Sequence, residues 1–197
     1  MNQDIIVINE FYSNPFEIRD QALSMAPFPV VNELPGQRTF GVPEEQSLQL
    51  KIQFEKILNT RITEWSQFRK RYEKNNTAFQ LITKNETNWI HHDDTDWAGV
   101  LYLSPEPDVT SGTGFFTHRQ SGVYCWDPDK PETDFNYSDD KDDFSKWDLN
   151  LEVKNKFNRL VLYKSKLYHS SMTPGFGSNY MDGRLTQVFF FSVEKND

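Results

Sequence analysis

Two periodicities divide the chain. From Glu44 to about Tyr72 the apolar positions Leu50, Phe54, Leu58, Ile62, Trp65 and Phe68 recur at steps of three and four, which puts them on one face of a helix. So long a pattern is expected to contain one break. A shorter helix is expected to begin at Pro15, where a missing N–H costs nothing, with Asn14 as its cap and Ile18, Ala22 and Met25 facing inward. A strand, Ile5 to Ile8, precedes it. The stretch 27–43 holds Pro27, Pro29, Pro35, Gly36, Gly41 and Pro43, too many breakers for a regular element, and reads as an ordered loop or irregular strand.

Beyond residue 77 the texture changes. AFQLITK (78–84), WAGVLYL (97–103), TGFFTHR (113–119), GVYCW (122–126), RLVLYK (159–164) and RLTQVFFFSV (184–193) are short branched and aromatic runs between turn residues. They read as strands at the spacing of a β-sandwich or barrel. Residues 127–158 form an acidic, apolar-poor insertion, a solvated surface loop by composition and a lid over a site by position. The expected fold class is α+β and mainly β, a cupin-like double-stranded β-helix or jelly roll with the N-terminal helices packed on one sheet. One domain is expected over 1–197, with helical support in 1–76 and the jelly-roll core in 77–197.

Composition narrows the function classes. Aromatics make up 15% of the chain, with 16 Phe, so an aromatic-rich core is expected and disorder throughout is disfavoured. A net charge of -8 disfavours contact with phosphate backbones, and the nearest basic patch, Arg69, Lys70 and Arg71, reads as the solvated face of a helix. The single cysteine, Cys125, excludes an intrachain disulfide and a Cys-based zinc site. No run approaches the ~18 apolar residues that span a membrane, and the N-terminus lacks a leader pattern, so a cytoplasmic setting is expected.

The candidate chemistry lies in the histidines: His91, His92, His118 and His169. On an extended segment, residues i and i+2 share a face, so a His-x-Asp pair delivers an imidazole and a carboxylate to one metal ion. His91/Asp93 and His92/Asp94 both satisfy that spacing. Two histidines and one carboxylate on one side of an octahedron leave positions open for substrates. His169, just after the strand RLVLY, is the better-placed third ligand; His118 is its competitor and reads otherwise as a partly buried strand histidine beside Arg119, which could face the cleft. Trp89 and Trp97 read as packing.

The stretches WIHHDDTDWAGVLYLSP, SGTGFFTHR and NRLVLYKSKLYHSSMTPGFGSNYMDGRLTQVFFF are similar to iron(II)- and 2-oxoglutarate-dependent oxygenases, specifically the small prolyl-hydroxylase-like members of bacteria and bacteriophages. The resemblance implies a hydroxylase using iron(II), 2-oxoglutarate and O₂, with His91, Asp93 and His169 on the metal and Arg184 pairing with the distal carboxylate of 2-oxoglutarate. Arginine suits that role because its planar fork grips a carboxylate with two charge-assisted hydrogen bonds. Thr186, on the same strand face, could donate a hydroxyl there, and Tyr102 and Tyr163 are further candidates for contacts with the cosubstrate.

Two other classes fit a jelly roll with these residues: a cupin-type metal-dependent hydrolase or isomerase, which leaves Arg184 without a cosubstrate, and a non-catalytic binding protein. The substrate, a small molecule or a protein side chain, and the oligomeric state are not encoded in any motif. The acidic insertion hints at a cationic substrate.

Overall fold

The computed structural model describes residues 4–26, 28–29, 36–65, 76–84, 86, 88–129 and 137–195. The expected basic patch at 69–71 lies outside them. Strand β1 (Ile5–Ile8) leads into helix α1 (Pro15–Ser24), then β2 (Gln37–Arg38), α2 (Glu44–Leu58), β3 (Ile62–Glu64), β4 (Phe79–Ile82), β5 (Trp97–Tyr102) and β6 (Thr113–His118). A short helix α3 (Tyr137–Asp140), a 3₁₀ turn (Phe144–Lys146) and strands β7 (Trp147–Val153), β8 (Leu160–Lys164), β9 (His169–Ser171) and β10 (Arg184–Val193) follow.

The strands form two antiparallel sheets. The larger runs β1-β8-β5-β10-β4-β2, with β3 also paired to β10; the smaller runs β7-β6-β9. Period-two alternation sorts the side chains of β10: Leu185, Phe189 and Phe191 join the core under the helices, while Arg184, Val188 and Phe190 face a cavity on the other side. The helix-side core centres on Phe54 of α2, whose ring lies 4.9–5.8 Å from those of Phe11, Trp65, Phe189 and Phe191. Between the sheets, Phe115 of β6 meets Tyr163 of β8 edge-on at 5.2 Å, in a second cluster with Ala98, Tyr102, Val153, Val161 and Leu167.

Several expectations are corrected. Helix α2 stops at Leu58, because Asn59 turns left-handed (φ 50) and the Glu55 carboxylate accepts the Ile62 amide at 2.9 Å, redirecting the chain into β3. Ile62, expected on the helix face, reaches the same core from a strand. In α1, Ala22 is fully buried, but Asn14 makes no side-chain capping bond. Arg19 is buried beside Ala22, donating to the carbonyls of Leu103 (2.9 Å) and Met181 (2.7 Å). GVYCW forms an isolated bridge, Cys125 to Leu167, rather than a strand. The insertion expected over 127–158 contains β7, an edge strand of the smaller sheet whose middle residues Asp148 to Leu151 are exposed on both faces. Among the described residues no helix is long and apolar enough to cross a membrane.

Candidate metal centre

The segment after β4 and the start of β9 meet in a two-residue antiparallel bridge. His91 and His169 exchange backbone hydrogen bonds of 2.9 and 2.8 Å, which fixes both Cα positions against each other. Their rings lie 4.4 Å apart, and Asp93, two residues on and therefore on the same face, brings its Oδ2 to 3.6 Å from His169 Nε2. One ligand atom from each of the three residues lies within 4.8 Å of the others.

Each imidazole is oriented by the backbone. Nδ1 of His91 sits 3.1 Å from the Trp89 carbonyl, and Nδ1 of His169 sits 2.8 Å from that of Leu167. A carbonyl only accepts, so both Nδ1 atoms carry the hydrogen and neither Nδ1 can be the metal-binding nitrogen, which leaves that role to Nε2 of each ring. Burial, reinforced by neighbouring His91, pushes His169 down to about 3, so it is neutral, the form a metal requires.

A cavity of ≈ 340 Å³ opens over this cluster between the two sheets. Arg184 and Tyr163 are on its wall; Tyr102 and Thr186, also expected to touch a cosubstrate, are fully buried and do not line it. Arg184 is anchored from behind: Nε donates to the Ser111 carbonyl at 3.1 Å, and the guanidinium lies 5.6 Å from the Tyr102 ring centroid. The Tyr102 hydroxyl is 2.7 Å from Thr113 Oγ1. Burial raises both phenols above the ordinary tyrosine range, Tyr163 further so because Asp93 is near, and both are neutral. The buried Thr186 hydroxyl has no hydrogen-bond partner among the described residues.

Other expected residues fall elsewhere. His92 also borders the cavity, but its ring stacks on Trp126 at 4.9 Å and 18°, and Asp94 is exposed. His118 lies away from the cluster, with Nδ1 2.9 Å from Ser121 Oγ and Nε2 3.2 Å from Asp140 Oδ2, fastening α3 to β6; Arg119 pairs with Asp148 on the exposed side. Trp97 packs in the core, whereas Trp89 lines the cavity. Tyr137, in the insertion, reaches the cavity wall and donates to the Ile90 carbonyl at 3.0 Å.

Arg38 is the charged residue on the wall that was not anticipated among those described. Arg38 of β2 is 8% exposed, and burial lowers its guanidinium to about 10 even though Asp93 and Tyr163 favour the charged form. Its strand is two residues long inside the proline-rich stretch, too short for any alternation to reveal.

The family model described as "Family of unknown function (DUF6445)" matches residues 1–191. The chain belongs to DUF6445. No curated protein matches this DUF6445 sequence. Among solved structures, the non-haem α-ketoglutarate-dependent carbocyclase SnoK from nogalamycin biosynthesis is similar with a TM-score of 0.62 at 11% identity, over 96% of this chain and 79% of that one. HygX from Streptomyces hygroscopicus, solved with nickel, 2-oxoglutarate and hygromycin B bound, gives 0.55 at 13% identity, over 95% and 82%. A prolyl-4-hydroxylase from Pseudomonas putida gives 0.55 at 13% identity, over 96% and 92%. At these identities the likeness establishes that this DUF6445 chain shares their fold.

Proposed function

We propose that this chain is an iron(II)- and 2-oxoglutarate-dependent oxygenase of hydroxylase type, with a jelly-roll core over 77–197 in a single domain. The observation that carries the reading is the ring arrangement: His91 and His169 each commit Nδ1 to a main-chain carbonyl, so Nε2 of both rings and the Asp93 carboxylate converge on one point. Two imidazoles and one carboxylate fit a divalent iron with open positions, and the likeness in fold to HygX, SnoK and the prolyl-4-hydroxylase supports the same assignment.

When bound, iron(II) and 2-oxoglutarate supply the coupled chemistry, in which O₂ oxidises the keto acid to succinate and CO₂ and a substrate is oxidised alongside. The chain's own residues bind and orient. His91, Asp93 and His169 hold the metal from one side, which leaves the cavity side for ligands. Arg184, pinned through Ser111 and Tyr102, presents its remaining N–H groups to the distal carboxylate, and the Tyr163 hydroxyl is a second donor on the same wall. The apolar lining, Val100, Val188 and Phe190, limits water around the reacting groups.

The test is an anaerobic titration of metal-free protein with iron(II) and then 2-oxoglutarate. A visible charge-transfer band is expected only with both present, and is expected to vanish in His91→Ala. Folded protein without a band sinks the reading.

A further inference from the structure

Among the described residues two arginines line the cavity, and the cosubstrate reading uses one. Arg38 enters from the opposite side of β10. In the sheet it pairs with Gln80, which pairs with Thr186 of β10, so β2 lies two strands away, about 10 Å across the sheet from the strand that carries Arg184. Its Nε is buried without a hydrogen-bond partner, and among the described residues its guanidinium makes no side-chain hydrogen bond or ion pair. Asp93 and Tyr163 favour its charge, but once Asp93 is committed to a metal a buried guanidinium without a direct partner is costly to the fold.

We propose that Arg38 binds a carboxylate of the primary substrate and so selects a monoanionic substrate over a neutral one. The inference rests on the oxygenase reading above. In the loaded site, Asp93 and a dianionic cosubstrate balance a divalent metal and Arg184, so Arg38 is the surplus cation in the pocket. The other acid on the wall, Asp94, is exposed to solvent. One carboxylate completes the balance and matches the planar fork, whereas a phosphate dianion exceeds it. The acidic insertion had suggested a cationic substrate; among the described residues the one that reaches the cavity from it is an uncharged tyrosine, Tyr137, while the buried side-chain nitrogen without a hydrogen bond belongs to a cation, Arg38.

The test uses nickel-loaded full-length protein with 2-oxoglutarate bound, titrated calorimetrically with N-acetylglycine, N-acetylglycinamide and inorganic phosphate. Wild type is expected to bind N-acetylglycine and not its neutral amide. Arg38→Met is expected to keep wild-type affinity for nickel and 2-oxoglutarate, to bind N-acetylglycine at least about 10-fold more weakly, and to melt about 2–4 °C higher because a buried unpaired charge is gone. Equal binding of N-acetylglycine to both proteins, binding to neither, or tighter binding of phosphate overturns the proposal. A lower melting temperature in Arg38→Met overturns it in favour of a structural role. Loss of 2-oxoglutarate binding in Arg38→Met but not in Arg184→Met overturns it by making Arg38 the cosubstrate anchor. Wild type that binds neither nickel nor 2-oxoglutarate removes the oxygenase reading itself, and this inference with it.

Discussion

His91 and His169, separated in sequence by strands β5 to β8, are joined main chain to main chain by a reciprocal pair of hydrogen bonds, N–H to carbonyl in each direction at 2.9 and 2.8 Å. The two imidazoles therefore converge because the backbone does, and the geometry does not depend on either side chain. Replacing His169 with Ala is expected to leave this bridge and the secondary structure intact while lowering iron affinity by more than about 100-fold and abolishing iron-dependent succinate formation. Equilibrium metal content, measured alongside circular dichroism, separates that outcome from unfolding; undiminished turnover would remove His169 from the metal.

Arg184 makes a different prediction. Its Nε is held by the Ser111 carbonyl and its guanidinium lies against Tyr102, so it is anchored at one end. Arg184→Met is expected to weaken 2-oxoglutarate binding by about 1.5–3 kcal/mol, the range for hydrogen bonds to a charged group, and to leave iron binding unchanged. Titrating 2-oxoglutarate into iron-loaded variant and wild type under nitrogen reads this directly. An unchanged dissociation constant would point to Arg38 as the anchor.

These contrasts mark what the sequence could reveal. A strand such as β10, RLTQVFFFSV, carries enough alternation and aromatic content for its bounds to be read from residues alone, and the elements from Ile5 and Pro15 were equally legible. Where two structures share one spacing, pattern reading fails: Leu58, Ile62 and Trp65 continue helical steps although the left-handed Asn59 ends the helix. Edge strand β7 was hidden because an exposed strand face has the composition of a loop. The His-x-Asp spacing named two registers; the structure brings His91, Asp93 and His169 together and turns His92 onto Trp126, an outcome set by the His91–His169 bridge and not by local sequence. Arg38 could not be found because its position depends on long-range pairing with β4.

Gly112 offers a test of how the Arg184 anchor is supported. A Cβ at this position would overlap the Val153 carbonyl and the Lys154 main chain, and the Gly112 carbonyl accepts the Met172 amide at 3.0 Å. The neighbouring Ser111 carbonyl holds Arg184, so displacement of this turn moves the anchor. Gly112→Ala is expected to destabilise by about 1–3 kcal/mol through overpacking against main chain, and to weaken 2-oxoglutarate binding without touching the metal ligands. Urea unfolding and the same anaerobic titration measure the two effects; loss of stability with unaltered 2-oxoglutarate affinity would uncouple the turn from the anchor.

Burial of neutral His169 sets a pH dependence with a definite sign. In the folded, metal-free protein the residue is held down to about 3, while the unfolded chain releases it to the ordinary value of about 6.5. Above about pH 6.5 both states are neutral there, and the residue contributes no slope. Below it, the unfolded state takes up a proton that the native state refuses, so stability falls as pH falls, by about 1.4 kcal/mol per unit from this group. His169→Gln removes the titration while keeping a polar side chain of similar size. Urea unfolding of metal-free wild type and His169→Gln, compared between about pH 7 and about pH 5, is therefore expected to show a steeper acid loss in wild type by about that slope. Parallel curves would mean that His169 protonates in place, and that its burial does not keep it in the form a metal ion needs.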